Sequence, residues 1–294
     1  MLTLLLLALS DPMTNRYAAA GHFGAKEIYL IGGSSISTHQ PVKQVDIFNP
    51  STGRWRAGVD MSAPRDFPAV TTIGSSIMVA GGVKADGSAS NRVDFYHYAT
   101  QKWVDGSTLP MPVSRAAACV WDMESMVIGG LGTDRGTSVN SRAVQMYNRR
   151  FSTWSYGPEL PEARHGHTAV VAAGNVYVIG GETGDKEYSP SASAVVLKPK
   201  VGKWVAISPM PQARAFHAAV SFGGSVYVFG SRTPTAHPLK YDPATDKWTE
   251  LPVPDLESHR TAYAEADGRV YFFGGEGPKV THRIFDLKSE KWIK

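Results

Sequence analysis

A short apolar run that ends in a glycine pair, or in Gly-Ser in one copy, recurs six times along the chain. The first glycines of the six runs are 49, 48, 51, 50 and 44 residues apart. They are Gly32, Gly81, Gly129, Gly180, Gly230 and Gly274. A near-constant period of this length predicts six equivalent structural units rather than one irregular domain.

Three further landmarks recur with the same period as the glycine pairs. An arginine precedes each first glycine by 14 or 16 residues, a tryptophan follows it by 18 to 25, and a large apolar residue stands seven residues before that tryptophan. The arginines are Arg16, Arg65, Arg115, Arg164, Arg214 and Arg260. The Arg-to-Trp units span 16–55, 65–103, 115–154, 164–204, 214–248 and 260–292. The agreement of these landmarks excludes a chance pattern.

Each unit holds four short apolar segments separated by turn residues, and the chain has 29 Gly and 19 Pro. Runs of four to eight Val, Phe and Tyr between such turns are typical of strands. Each unit is therefore predicted to be a four-stranded antiparallel meander. Because a single meander cannot bury both of its apolar faces, six of them are predicted to close radially into a propeller. The fold class is all-β, a six-bladed β-propeller, with residues 1–294 as a single domain.

The pattern resembles the kelch repeat: a glycine pair after an apolar strand, an aromatic residue seven positions before a tryptophan, and an arginine that opens the first strand. The resemblance covers residues 14–292. Two positions depart from it, since Ser231 replaces the second glycine of the fifth unit and Leu197 replaces the aromatic residue of the fourth. These departures affect single turns or contacts and leave the assignment unchanged.

Composition argues against several classes of function. With 30 basic and 26 acidic residues, and no basic run longer than Arg149-Arg150, no nucleic-acid partner is expected. The single cysteine, Cys119, excludes a disulfide framework and is expected to be an inert buried thiol. No metal site, cofactor or catalytic residue is assigned.

The six arginines are the candidate binding residues. They should share one face of the propeller with the loops that follow the glycine pairs, at 34–43, 83–92, 131–142, 182–193, 231–237 and 276–280. A ring of guanidinium groups suits carboxylate capture, and the kelch resemblance implies acidic motifs bound by arginines near this rim. In the alternative interpretation, each arginine braces its own blade by hydrogen bonds to loop carbonyls.

Two functions therefore stay open. The first is a protein-interaction module, in particular a substrate-recognition propeller that binds an acidic peptide. The second is a small carbohydrate-acting enzyme that resembles the kelch-type sialic-acid epimerases, with Glu182, Asp185 and Glu187 as the residues to inspect. His167 and His217, with Tyr263 in the place expected to be equivalent, should lie near the axis as side chains of the inner strands.

The apolar run from Leu2 to Leu9 is too short to cross a bilayer. It is predicted to pair with the sixth blade as its outer strand and so to join the two chain ends. A cytoplasmic location follows from this prediction. Secretion is the alternative if residues 1–10 are a signal peptide.

Overall fold

The structure, a computed structural model, describes residues 16–293 apart from 18–19, 25, 135–136, 185–186, 199–201, 236, 257–258 and 276–281. The described residues form strands and loops with no helix, arranged in six four-stranded sheets. Within each sheet every strand pairs antiparallel with the next one along the chain, apart from short strands that lie in the connecting loops.

The first three blades contain strands β2, β3, β5 and β6, then β7 to β10, then β11, β12, β15 and β16. In the connecting loops, β1 pairs with β4 and β13 pairs with β14. The strand bounds are β1 Arg16–Tyr17, β2 Ala20–Gly24, β3 Glu27–Ile31, β4 Ser34–Ser35, β5 Val45–Asn49, β6 Arg54–Ala57, β7 Ala69–Ile73, β8 Ser76–Ala80, β9 Val93–His97, β10 Lys102–Asp105, β11 Ala117–Trp121, β12 Glu124–Ile128, β13 Leu131–Asp134, β14 Thr137–Asn140, β15 Val144–Asn148 and β16 Thr153–Tyr156.

The last three blades contain β17, β18, β21 and β22, then β23 to β26, then β27 to β30, and β19 pairs with β20 in a loop. The bounds are β17 Thr168–Ala172, β18 Asn175–Ile179, β19 Glu182–Thr183, β20 Ser189–Pro190, β21 Ala194–Lys198, β22 Lys203–Ile207, β23 Ala218–Phe222, β24 Ser225–Phe229, β25 Leu239–Asp242, β26 Lys247–Glu250, β27 Ala262–Ala266, β28 Arg269–Phe273, β29 Arg283–Asp286 and β30 Lys291–Ile293.

The first strand of each blade faces the central axis, and each of these inner strands contacts its two neighbours, so that β27 also contacts β2. The ring of blades is therefore closed. Five of the six inner strands begin with alanine and the sixth with threonine, which lets six backbones converge without large side chains between them. The predicted six-bladed, four-stranded propeller is confirmed.

The hydrophobic core is divided among the interfaces between blades. Six clusters of buried side chains lie between successive blades, and one of them joins the sixth blade to the first. In that closing cluster, Leu30 and Phe48 of the first blade pack with Tyr271 and Phe273 of the sixth. Stability therefore depends on contacts between neighbouring blades, as in other repeat architectures.

The glycine pairs lie at hydrogen-bonded contacts between one blade and the next. Gly81 and Gly82 have φ of 65° and 101°, a backbone conformation that glycine adopts without steric cost. The Gly82 N–H donates to the Val113 carbonyl of the next blade at 2.9 Å, and a Cβ on Gly81 would lie 2.3 Å from the same oxygen. Close approach between blades therefore requires glycine here.

The repeat tryptophans bridge neighbouring blades. The indole of Trp204 packs in the cluster between the third and fourth blades. Its Nε1–H donates to the Pro158 carbonyl at 2.8 Å. Trp103, Trp154, Trp248 and Trp292 make the same kind of bond to the blade before their own. Each indole is only partly buried.

Replacing Trp204 with Ala should lower the free energy of unfolding by about 2 to 3 kcal/mol, less than the roughly 3 to 5 kcal/mol of a fully buried aromatic residue. The loss combines the contacts between blades and the hydrogen bond to Pro158. Urea denaturation measures it, with Tyr156→Ala as the control because Tyr156 is 61% exposed. Equal stability of the two variants would contradict a bridging role for the tryptophan.

The predicted pairing of Leu2 to Leu9 with the sixth blade stays untested, because this segment lies outside the described residues. Loop 276–280, one of the six predicted loops of the binding face, also lies outside them. In the described part of the sixth blade, β30 (Lys291–Ile293) is the outer strand. The assignment of residues 1–294 to one domain remains a prediction.

Candidate functional site

The six candidate arginines occupy two different kinds of position. Four of them are almost completely buried, and each donates from Nη1 to the carbonyl of the glycine 16 residues further along its own blade. These bonds are Arg16 to Gly32 at 3.1 Å, Arg65 to Gly81 at 3.3 Å, Arg164 to Gly180 at 2.9 Å and Arg214 to Gly230 at 3.1 Å. These four, here called the bracing arginines, hold the loops of their own blades.

Acidic partners complete the bracing contacts. Arg16 pairs with Asp46, Arg65 with Asp94, Arg164 with Glu162 and Arg214 with Asp255. All of the partners except Glu162 are themselves buried. Each of these guanidinium groups is buried and engaged through its terminal nitrogens, so the geometry of these four arginines fits the bracing interpretation.

Arg115 and Arg260 stand two residues out of register with the bracing arginines. In the third blade the bracing position belongs to Val113, whose carbonyl receives the N–H of Gly82 just as the Arg65 carbonyl receives that of Gly33. The shift was visible in the sequence, because Arg115 and Arg260 precede their first glycines by 14 residues and the other four arginines by 16. The two spacings therefore distinguish two structural positions of the arginines.

The position that Arg115 and Arg260 occupy recurs as a ring around the axis, here called the mouth. Its described members are Phe67, Arg115, Gly166, Phe216 and Arg260, all with φ between 47° and 59°. Each backbone N–H donates to the carbonyl of the previous member, at 3.2, 2.9, 2.8 and 3.1 Å from Arg115 onward. This hydrogen-bonded ring fixes where the side chains of the mouth begin.

Four side chains of the mouth converge over the axis. The rings of Phe67 and Phe216 lie 5.6 Å apart. The Arg115 guanidinium lies 5.1 Å from the Phe67 ring, and that of Arg260 lies 5.3 Å from Phe67 and 5.0 Å from Phe216. Cation–π contact stabilises a guanidinium through its flat face. Our sequence analysis missed both phenylalanines.

The charged groups at the mouth act on one another. Burial and the neighbouring charge of Arg260 lower the pKa of Arg115, which nevertheless stays protonated at neutral pH. Burial raises the pKa of Asp66 to about 6, although the charges of Arg115 and Arg260 oppose the shift. Asp66 is therefore ionised at neutral pH and becomes neutral as the pH falls towards 5.

An axial cavity of about 180 Å³ lies at the mouth and is lined by residues of all six blades. Besides the four converging side chains, its wall includes His167, His217 and Tyr263. The register of the sixth blade makes Thr261, rather than Tyr263, equivalent to the two histidines, because Ala262 and Thr168 pair with corresponding residues of the second strands. The prediction for Tyr263 was wrong by the same two-residue shift that displaced Arg260.

The residues considered for an enzyme do not face this cavity together. Glu182 is buried and bonded to His165 and to Arg232. Burial alone would raise the pKa of Glu182, but the hydrogen bonds from His165 and Arg232 outweigh burial and lower it. Glu187 is exposed, and Asp185 lies outside the described residues.

The loops that follow the glycine pairs are joined beside the mouth. His165 Nδ1 donates to Asn140 Oδ1 at 2.6 Å, and the Asn140 amide donates to the Gly184 carbonyl at 2.9 Å. Tyr188 packs edge-on against the His165 ring and donates its hydroxyl to the Ser138 carbonyl. The third and fourth loops therefore present one connected surface.

The described part of the chain gives little support to a reactive thiol, a metal site or a membrane-spanning helix. Burial raises the pKa of the Cys119 thiol to about 12, which makes it unreactive. No group of three or more His, Cys, Asp or Glu residues is placed to hold a metal ion within the described ranges. Among those same residues, no helix is long and apolar enough to cross a membrane.

The blade geometry, the glycine and tryptophan contacts and the bracing arginines define a propeller of the kelch type. A family model described as the Attractin/LZTR1 beta-propeller matches residues 28–285, and the chain belongs to this family of kelch-repeat propellers.

Several relatives are similar to the chain over part of their length. Kelch-like protein 34 from Homo sapiens is 32% identical over 236 residues, which cover 73% of this chain and 35% of that protein. Kelch-like protein 23 from Homo sapiens is 28% identical over 53% of this chain and 28% of its own length. Beta-scruin from Limulus polyphemus is 27% identical over 57% of this chain and 19% of its own length. The chain therefore spans about a third or less of the length of these relatives.

Proposed function

We propose that this propeller recognises a protein partner through the mouth and the surrounding loops, and that the partner presents an acidic segment there. The observation that carries the proposal is the convergence of Arg115 and Arg260 on the axis, while the other four candidate arginines are held inside their blades. Membership of the kelch-repeat family supports a protein-interaction role. The cytoplasmic location expected from the sequence is part of the same proposal.

The preference for an acidic segment rests on the charge of the mouth. Two guanidinium groups stacked on phenylalanine rings bring two positive charges to the mouth, and the edge of a guanidinium suits bidentate contact with a carboxylate. An acidic side chain of the partner would therefore be attracted to this face.

The enzyme alternative has less support. A carbohydrate-acting site needs carboxylates that converge on a pocket. Among the described residues that line the axial cavity there is no aspartate or glutamate. Glu182, the buried carboxylate nearest to that role, is held by His165 and Arg232.

The proposed function is tested by affinity capture with the full chain and with the Arg115→Ala/Arg260→Ala variant. The control is Arg149→Ala/Arg150→Ala, which removes the same charge from exposed residues on the opposite face. We expect the mouth variant to lose the captured partner and the control to retain it, with binding weakened by salt. Equal recovery by both variants would contradict the proposal.

Binding of an acidic peptide from the captured partner should strengthen about tenfold between pH 7 and pH 5. The reason is that Asp66, with its pKa raised to about 6, loses its negative charge in this range, while peptide carboxylates with ordinary pKa values near 4 stay largely ionised. Isothermal titration calorimetry at several pH values measures the change.

Asp66→Asn is the matched variant for this pH dependence, and it should bind tightly and equally at both pH values. Because the raised pKa also means that folding favours protonated Asp66, its contribution to stability is present below about pH 4 and is lost as the pH rises through 6. A peptide affinity that rises by the same factor in Asp66→Asn would refute the role of this carboxyl.

A further inference from the structure

We propose that the outer edge of the third blade, formed by β16 (Thr153–Tyr156), pairs antiparallel with the same edge of a second copy of this chain. The result is a symmetric dimer. The inference goes beyond the proposed function, because this edge lies on the rim of the propeller and includes no residue of the mouth. Three observations carry it: β16 lacks charge, aromatic side chains are exposed at its ends, and opposite charges flank it.

Charge protects the outer strands of the other five blades. Among the described strands, each outer strand is the last of its sheet, and charged side chains, lysine above all, keep such an edge from pairing with another chain. A cation stands immediately before the repeat tryptophan in five blades, as Arg54, Lys102, Lys203, Lys247 and Lys291. In β16 this position is Thr153, and no residue of the strand is charged. The third blade therefore lacks the protection that the other five have.

The edge of β16 offers both backbone groups and aromatic surface. The Gly157 N–H donates to the Val144 carbonyl at 2.8 Å, so the odd-numbered residues of this segment bond to β15. Because successive residues of a strand direct their backbone groups to opposite sides, those of Trp154 and Tyr156 point away from β15. The side chains of Phe151 and Tyr156 are 66% and 61% exposed. Such an edge favours the addition of another strand.

A second copy fits this edge in one particular register. A twofold axis through Ser155 places the N–H and C=O groups of Trp154 in each copy opposite those of Tyr156 in the other. Both outward-facing residues of each strand are then paired. The Tyr156 side chain would lie beside the Trp154 indole of the second copy, as a cross-strand aromatic pair. Because this contact occupies the same edge in both copies, assembly stops at the dimer.

The charges at the two ends of the edge favour a second copy as the occupant. Arg150 precedes β16 and is exposed. Glu159 follows the strand and is 68% exposed, with Arg142 Nε 4.0 Å from its carboxylate. Antiparallel pairing brings Arg150 of each copy to the end where Glu159 of the other copy lies, so opposite charges meet at both ends of the contact. An unrelated strand would not supply this match.

Sedimentation equilibrium of the full chain measures self-association at micromolar concentrations, which suit a contact smaller than a standard interface. We expect a monomer–dimer equilibrium. Ser155→Lys should weaken the dimer about tenfold or more, because it sets two like charges directly opposite each other at the axis. Thr249→Lys is the matched control and should leave the dimer unchanged. Thr249 is exposed, and it follows the tryptophan of β26 as Ser155 follows that of β16.

Disulfide cross-linking tests the register without relying on a loss of binding. In Ser155→Cys the two thiols would face each other across the axis at a distance that a disulfide can span. Mild oxidation should therefore link two chains, since the natural Cys119 is buried. Thr249→Cys lies on another blade and should stay unlinked. Thr153→Cys should also stay unlinked, because its counterpart would lie four residues further along the edge.

Several results would overturn the inference. They are a monomer at all accessible concentrations, equal weakening by Ser155→Lys and Thr249→Lys, and a disulfide in either control variant as complete as that in Ser155→Cys. Pairing of this edge with a strand of a different protein instead of a second copy would also overturn it. The mouth is intact in Ser155→Lys, so partner capture by this variant reports on the proposed function separately.

Discussion

Replacing Arg65 with Ala is expected to lower the free energy of unfolding by about 3 to 5 kcal/mol, the usual cost of breaking a buried ion pair. The substitution leaves the Asp94 carboxylate, which is completely buried, with only the partly exposed Arg92 as its cationic partner. It also removes the donors to the carbonyls of Gly81 and Arg92. Urea denaturation followed by tryptophan fluorescence measures the loss.

Arg115→Ala is the matched control for Arg65→Ala. Both substitutions remove one of the six candidate arginines, but Arg115 lies at the mouth and forms a cation–π contact rather than a buried ion pair. We expect its loss to change the free energy of unfolding by less than about 1 kcal/mol. Similar losses for the two variants would show that the division into bracing and mouth arginines has no energetic basis.

Replacing Gly21 with Ala should cost about 3 kcal/mol or more, at the upper end of overpacking substitutions. A Cβ at this position would lie 2.2 Å from the carbonyl oxygen of Tyr263 in the sixth blade. Because the obstacle is backbone, no side-chain rotation can relieve it, and β2 must move away from β27. The expected result is a lower denaturation midpoint and easier proteolysis of the sixth blade.

Gly132→Ala is the control for the closing interface. The nearest atom to its added Cβ is the Pro112 carbonyl oxygen at 3.4 Å, and its φ is not in the left-handed region. We expect little loss of stability in this variant. If Gly21→Ala proves as stable as Gly132→Ala, the packing of the first blade against the sixth does not have the described geometry.

The fold was predictable because each repeat contains several residues that specify the same structure. The glycine pairs, tryptophans and aromatic residues each specify a contact between neighbouring blades, and six copies agree. The departures at Ser231 and Leu197 left the sheets intact. Periodicity therefore sufficed for the architecture, since a propeller is built from interactions between adjacent, similar units.

The site was harder to predict, because its residues share a position without sharing chemistry. Phe67, Gly166 and Phe216 are equivalent to Arg115 and Arg260, yet no common residue type marks them in the sequence. The arginines presented the opposite difficulty, because six residues of one type occupy two different structural positions, the bracing position and the mouth. The spacings of 14 and 16 residues separated them, but only the hydrogen bonds at Val113 and Gly82 showed why the difference matters.

The central claim, that the mouth receives the partner, is tested most directly by site-specific photo-cross-linking. A benzoylphenylalanine in place of Phe67 puts the reactive group at the mouth, and one in place of Met123, which is 84% exposed, puts it on the opposite face. The account predicts that the captured partner cross-links through position 67, at a segment rich in aspartate and glutamate, and not through position 123. Cross-linking through position 123 alone would contradict it.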